Sequence, residues 1–262
     1  MEVFNLSDVR MSKNDEKRGL ELPDKMTPEL AEDVGIMAGD GHISIQRRPS
    51  RTDYEVSCYG HAITDKSFIR DYVRVLKLEL FNLMFNFREN ADNTCVLRIR
   101  SVGLVNFYGS IIGLPLGSKH DISVPKAILC AKDDAKKCFL RGLADTDFTL
   151  VFRDYNGGEL NYPLLKIDTS SKPLAVGLRD MLDSLGFKPS ICCDMTSIHS
   201  VTKRPFTTHQ LRLNGKKNLA KWVEEIGFRN PKNMLRYKIW KEGGSSLPNI
   251  DIERIMSEPG GI

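Results

Sequence analysis

Hydrophobic positions along this chain switch between a helical and a strand period, and the order of switching occurs twice. The first helical run opens at Thr27-Pro28-Glu29. Thr27 serves as N-cap, Pro28 fits the first helical position, and Glu29 suits the positive end of the dipole. This helix is predicted to reach about Gly39. Strand-like alternation follows at 43–47 and 54–59, around the turn Arg48-Pro49-Ser50-Arg51. From about Asp65 the period is helical again, with Phe68, Ile69, Tyr72, Val73 and Leu76 on one face. Strands at 83–88 and 95–100 flank Glu89-Asn90-Ala91-Asp92-Asn93, and a helix over 102–112 stops at Gly113.

The second half gives the same succession. A helix starts near Asp133 or Asp134 and runs through Phe139, Leu140 and Leu143 to Ala144 or Asp145. Strands at 150–153 and 160–167 flank Asp154-Tyr155-Asn156-Gly157-Gly158. A helix over 172–185 stops at Gly186, strands at 190–195 and 208–213 are joined by a basic loop, and a helix over 216–226 stops at Gly227. Asp40 and Asp147 lie 107 residues apart, Phe68 and Leu174 106, Gly113 and Gly227 114. A period near 107 residues is too long for a solenoid and indicates two fused half-domains.

The first helix of each half ends alike. One carries Val34-Gly35-Ile36-Met37-Ala38-Gly39-Asp40-Gly41, the other Arg141-Gly142-Leu143-Ala144-Asp145-Thr146-Asp147-Phe148. Gly35 and Gly39 are four apart, as are Gly142 and Thr146, and residues so spaced share a helix face. Small residues there let two helices approach closer than the usual 8–10 Å. Packed on these faces, the helices bring Asp40 and Asp147 to the same end. The dipole disfavours negative charge at that end, so a hard divalent cation is the natural partner of the pair. Such an ion activates water and stabilises the departing oxygen in phosphodiester cleavage.

These two motifs resemble those of the LAGLIDADG homing endonucleases, in the single-chain form with two repeats. Gly35 to Gly41 and Gly142 to Asp147 match the motif core, and the resemblance spans roughly residues 27–240. It implies an α+β fold: two pseudo-symmetric αββαββα half-domains packed through paired motif helices, each with a saddle-shaped antiparallel sheet lying in the DNA major groove. On this reading residues 1–26 are a polar N-terminal extension, 27–131 and 132–242 the half-domains, and 243–262 a C-terminal tail. The implied activity is site-specific, double-strand DNA cleavage across the minor groove by a monomer, leaving short 3′ overhangs. Asp40 and Asp147 are the implied metal-binding acids, with Gly39 and Thr146 beside them as further metal ligands, and Mg²⁺ or a relative such as Mn²⁺ as cofactor. The family often has a basic residue near each acid late in each repeat. Lys119 and Lys232 fit that place, where a cation stabilises charge on phosphate. His61 fits the polar position before the middle helix of the first repeat, Thr169 or Ser170 that of the second. Phe148 stands where the family usually has glycine and is expected to crowd Asp147 or the scissile phosphate. That departure supports an alternative, a cleavage-impaired relative acting as an intron RNA-splicing maturase or DNA-binding protein. A transcription regulator on the same scaffold is a third reading, with little room for an added helix-turn-helix.

Strand alternation then supplies a DNA-contact face. Arg98 and Arg100 oppose Cys95, Leu97 and Ile99; Thr208, Gln210 and Arg212 oppose Leu211 and Leu213; Ser44 and Gln46 alternate with Ile43 and Ile45. Arginine on such a face favours guanine and glutamine favours adenine. Arg153 and Lys166 join the predicted contact set, and Arg47, Arg48, Arg51, Lys203 and Arg204 are placed on loops to reach phosphates.

Composition narrows this picture only a little. The 262 residues are 41% hydrophobic and 27% charged, as in ordinary globular proteins, and the net charge of +4 permits a nucleic-acid partner without requiring one. No apolar run reaches about 18 residues, so no membrane span is expected, and the charged N-terminus lacks a signal-peptide core. A cytoplasmic, intracellular protein is expected. The chain begins with Met and ends in no His-Asn pair, which suggests a free-standing or intron-encoded enzyme rather than an intein. The six cysteines form no Cys-x-x-Cys pair, which argues against zinc and for small buried thiols.

Overall fold

The computed structural model describes residues 3–154, 159–198 and 202–258. Helix α1 (Lys13–Lys17) precedes the first motif helix, α2 (Pro28–Ala38), whose N-cap Thr27 accepts from the Leu30 N–H at 3.2 Å. Strands β1 (Gly41–Arg48) and β2 (Arg51–His61) form a hairpin closed by the Arg48↔Arg51 pair. A π-helical stretch, Phe68–Val73, runs into α3 (Arg74–Phe81). Strands β3 (Asn86–Glu89) and β4 (Thr94–Arg100) lead to α4 (Val102–Asn106), which continues as a π-helical turn, Phe107–Ile112.

A short α5 (Lys126–Leu129) then delivers the chain to the second motif helix, α6 (Asp133–Ala144). The pattern repeats through β5 (Thr149–Asp154), β6 (Leu160–Thr169), α7 (Lys172–Ser184), β7 (Pro189–Ile198), β8 (Pro205–Asn214) and α8 (Gly215–Glu225). Helices α9 (Pro231–Gly243) and α10 (Asn249–Ser257) follow. The turn expected at 155–158 and part of the loop before β8 lie outside the described residues.

Both sheets are four-stranded and antiparallel, in the orders β1-β2-β4-β3 and β5-β6-β8-β7. Each has the same circuit of hairpin, helix, hairpin, so the fold is α+β with internal two-fold repetition. Gly113, Gly186 and Gly227 end their helices with φ of 86°, 76° and 75°. Those left-handed conformations are what glycine provides at a helix C-terminus without steric cost.

One face of each sheet packs under helices. Val56, Cys58, Leu97 and Ile99 supply the first core, and Leu150, Leu165, Leu211 and Leu213 the second, with the fully buried Trp222 ringed by Phe148, Phe187 and Phe228. The alternation is not strict: Ile45 is exposed although Ile43 is buried, and Val96 and Leu164 are buried although their strand neighbours Leu97 and Leu165 fill the core face. The cysteines divide. Cys58 and Cys95 are buried, whereas Cys130 and Cys192 are exposed, so the expectation of uniformly buried thiols is corrected.

The polar lead-in docks on the first half. Ser12 and the N3 residue Asp15 form a capping box on α1. The fully buried Asp15 carboxylate also accepts from the backbone N–H groups of Val102 and Gly103, both at 3.1 Å, so it caps α4 as well. Burial pushes this carboxyl up, but hydrogen bonds from Ser12, Ser101 and the Gly103 N–H outweigh it and hold the group below its ordinary range. Another buried polar cluster lies beneath α2. Lys77 and Asp33, both fully buried, pair at 2.5 Å, and Tyr108 bonds to both. None of the described helices is long and apolar enough to cross a membrane.

Candidate active site

The two motif helices cross on their glycines. A Cβ at Gly35 would sit 2.8 Å from the Leu143 amide nitrogen, and one at Gly142 3.0 Å from that of Ile36; the carbonyls of Phe139 and Glu32 are nearer still. Only a hydrogen at these positions allows backbone-to-backbone contact. One turn further on the match is unequal: the Thr146 hydroxyl occupies the space that a Gly39 side chain would need. Thr146 itself bonds back to the carbonyls of Gly142 and Leu143 at 3.2 and 3.0 Å.

This packing delivers Asp40 and Asp147 to one place. The Asp147 carboxyl carbon lies 3.4 Å from the position of a Gly39 Cβ, directly beside the residue that precedes Asp40. Burial raises the Asp40 carboxyl to about 7, and the neighbouring charges of Asp147 and Asp65 add to the rise. The Asp147 carboxyl is also raised, by the protein packed around it, although the residue as a whole is exposed. Lys119 lies near enough to both acids to act on them electrostatically. Its ammonium donates to the Met37 and Ala38 carbonyls at 3.0 and 3.1 Å and to that of Gly39, closing the C-terminal end of α2. A cation there complements the dipole. Burial pulls the Lys119 pKa down, and the two acids oppose that pull.

Lys232 is placed differently from its first-half counterpart. It lies in the first turn of α9, not on a loop, and its ammonium pairs with Asp65 at 2.8 Å. Asn230 donates to the same Asp65 oxygen at 2.8 Å and to the Asp145 carbonyl at 3.0 Å. Burial pushes Asp65 up, but Lys232, Asn230 and the His61 N–H outweigh it and hold the group below its ordinary range. Asp65 was not singled out by sequence reasoning; its position at the start of the middle helix was the only available signal. His61 contributes its backbone N–H to Asp65 at 3.1 Å, and its Nδ1 is buried without a partner. In the second half Thr169 accepts from the Ser171 N–H, and Ser170 meets His120 Nδ1 at 3.2 Å.

Two other motif residues turn away from the acids. Asp145 is buried and accepts from the Arg229 N–H at 2.7 Å, while burial lifts its carboxyl to about 7. Phe148 does not crowd the site. It is 4% exposed and stacks on Trp222 with ring centroids 6.0 Å apart, because residue 148, just before β5, turns its side chain into the core.

The sheet faces opposite the cores carry the predicted contact residues, with differences in access. Arg47, Arg48, Arg51, Arg100 and Arg153 are exposed, as are Gln46, Lys203 and Arg204. Arg98, Lys166 and Arg212 are half-buried. Asp53 gathers Arg48, Arg51 and Arg100 at 3.2–3.8 Å. Lys166 pairs with Asp168 at 2.6 Å. Ser44 and Gln210 are corrected: both are buried, and Gln210 is held by Asp168, so neither projects freely from its sheet.

Residues 134–227 match the family model described as a LAGLIDADG-like domain. The I-DmoI structure in complex with DNA and Ca superposes with a TM-score of 0.55 over 80% of this chain and 97% of that one, at 17% identity. The chain has the two-repeat LAGLIDADG fold. A double mutant of I-SmaMI gives a TM-score of 0.52 over 84% of this chain and 91% of that one, at 12% identity. I-DmoI in complex with DNA and Mn gives 0.52 over 76% and 96%, at 18% identity. A sequence relative is the glutamine–fructose-6-phosphate aminotransferase of Methanocaldococcus jannaschii, 23% identical over 209 residues, or 80% of this chain. The chain spans only 17% of that relative's length. Within the LAGLIDADG fold, the paired glycine helices, α2 and α6, are the elements that carry Asp40 and Asp147.

Proposed function

We propose that this LAGLIDADG-fold protein is a site-specific, double-strand DNA endonuclease that hydrolyses phosphodiester bonds with divalent metal at two acidic sites. The observation that carries this reading is the meeting of Asp40 and Asp147 at the shared end of α2 and α6, with both carboxyls raised. Two hard-oxygen donors with unfavourable charge suit a divalent cation. Among the described residues no cluster of three His, Cys, Asp or Glu forms a closed cage. An open two-carboxylate site fits an ion that keeps positions for water and phosphate oxygens. Asp40 and Asp147 would hold Mg²⁺ or Mn²⁺, with the carbonyls of Gly39 and Thr146 as the further candidates; the Gly39 carbonyl already accepts from Lys119. When bound, the ion supplies an activated water and charge stabilisation at the leaving oxygen.

The protein's own groups do the rest. Lys119 fixes the end of α2 and places a positive charge beside both acids, where a scissile phosphate gains negative charge. Asp65 and Asn230 hold Lys232 and tie the start of the first half's middle helix to α9. Arg98, Arg100, Arg153, Lys166 and Arg212 line the sheet faces for duplex DNA, and Arg47, Arg48, Arg51, Lys203 and Arg204 extend from the strand ends toward phosphates. One chain contributes both motif helices, so a monomer suffices for both sites. Phe148 packs on Trp222 and away from the acids, which favours the cutting enzyme over the cleavage-impaired alternative. Incubation with a randomised DNA library and Mg²⁺ tests the proposal: recovery of cut ends at one sequence class supports it, and binding without cutting in Mg²⁺ or Mn²⁺ refutes it.

A further inference from the structure

The polar face of the first sheet continues past its edge strand. β3 pairs with β4 only from Asn86↔Arg98 to Glu89↔Cys95, so the Arg100 end of β4 projects beyond it. Helix α1 occupies that end. Arg18 Nη2 donates to the Arg100 carbonyl at 2.8 Å and pairs with Asp15 at 2.8 Å, while Asp15 anchors α1 to the start of α4. Between α1 and the sheet lies a cavity of about 370 Å³ walled by Arg18, Arg88, Arg98 and Arg100, with Asn14 and Glu55.

Charge in this cavity is unbalanced. Four guanidiniums face one carboxylate, Glu55. Among the described residues, the guanidiniums of Arg88 and Arg98 meet no protein acceptor, and Arg100 has only a 3.8 Å contact with Asp53. Guanidiniums left without carboxylate partners are suited to phosphate oxygens, which they bind through parallel N–H donors. The cavity is also continuous with the sheet face: Arg98 pairs in register with Ser57 and Asn86, and Arg100 with Glu55.

We propose that this cavity takes a backbone phosphate of duplex DNA lying beyond the stretch covered by the first sheet, so that α1 lengthens the DNA footprint. The inference rests on the DNA-binding reading above and adds Arg18 and Arg88 to it. The arginines are strung along a strand pair and a helix at a sheet edge, an arrangement matched to a continuous backbone more than to a small free anion.

Salt dependence counts such contacts, since each neutralised phosphate contributes about 0.9 to the slope of log K against log salt. The probe is a random-sequence duplex of about 40 base pairs, titrated with wild-type protein and with Arg88→Ala, Arg18→Ala and Arg18→Lys. Arg88 has no intramolecular bond to lose, so its variant reports on DNA alone. Arg88→Ala and Arg18→Ala are each expected to lower the slope by about one and to weaken binding several-fold whatever the sequence, with Arg18→Lys keeping the slope. A slope unchanged in both alanine variants, while Arg212→Ala on the second sheet lowers it, overturns the cavity but leaves the DNA reading standing. A wild-type protein that binds no duplex ends both. In a parallel arm, the duplex should protect Arg88 from an arginine-selective dicarbonyl reagent; equal protection by inorganic phosphate at the same phosphate concentration assigns the cavity to a free anion and overturns the proposal.

Discussion

Replacing Asp40 by asparagine should make the metal-free protein more stable while abolishing cleavage. The Asp40 carboxyl rises from 3.8 to about 7, chiefly through burial and then through Asp147 and Asp65. A raised acid holds its proton more tightly when folded than when unfolded. Its contribution is therefore most favourable below the unfolded pKa, and stability falls as pH climbs through the interval from about 4 to 7. Roughly three pH units correspond to at most about 4 kcal/mol. Asp40 retains some contact with water, which screens the repulsion, so about 1–2 kcal/mol is the expected gain above pH 8. The assay is denaturant unfolding of both proteins with a chelator present, at pH 8.5 and at pH 5. The variant should unfold at higher denaturant at pH 8.5, and its advantage should shrink to about a third at pH 5, where the native carboxyl is protonated. Added Mg²⁺ should stabilise the wild type at pH 8.5 and the variant far less. An asparagine variant that is less stable at both values, or an advantage that ignores pH, would refute the reasoning. Retained cutting would remove Asp40 from the proposed chemistry.

Three further outcomes follow from the packing and from the contact face. Gly35→Ala forces backbone apart at the helix crossing and should cost about 2–4 kcal/mol in denaturant unfolding; a loss under about 0.5 would mean the helices are not in backbone contact. Phe148→Ala empties a stacked core position against Trp222 and should cost about 3–5 kcal/mol without raising cleavage by the folded fraction; faster cutting would restore the idea that residue 148 obstructs the site. Cys192 is exposed and pairs in register with Gln210 on the contact face of the second sheet, so duplex DNA should slow its alkylation several-fold while leaving Cys130 unaffected. Equal rates with and without DNA would move the duplex off that sheet.

Regular periodicity made most of this architecture readable from residues alone. The N-cap at Thr27, the glycine stops at 113, 186 and 227, and the alternating strands all express local preferences that tertiary structure did not override. Most strands extend one to three residues past the expected ends, where pairing with a neighbour outweighs side-chain pattern; β3 instead begins at Asn86, three residues later than the pattern indicates. Helix α9 was missed although Asn230 and Pro231 form a clear start, because Met234, Leu235, Tyr237 and Trp240 do not hold one face. The five-residue α1 is stabilised by its capping box and by docking on α4, neither of which a hydrophobic pattern carries. At the site, Asp40 and Asp147 were legible because a duplicated spacing points to them. Asp65 was not, since its importance comes from Lys232 and Asn230, more than 160 residues away in sequence. Nothing in the residue pattern marks Lys77 as buried; its long-range partners Asp33 and Tyr108 make that burial tolerable.

The unequal fit of Gly39 and Thr146 has a bearing on ancestry and engineering. The two repeats are no longer interchangeable. A homodimer assembled from the first repeat would place glycine opposite glycine and leave a gap; one assembled from the second would drive two threonine side chains into the same volume. Within one polypeptide the seam between the repeats can be handed in content, a peg on one side and a notch on the other. Grafting either repeat onto a foreign partner would have to carry the complementary half of that seam along.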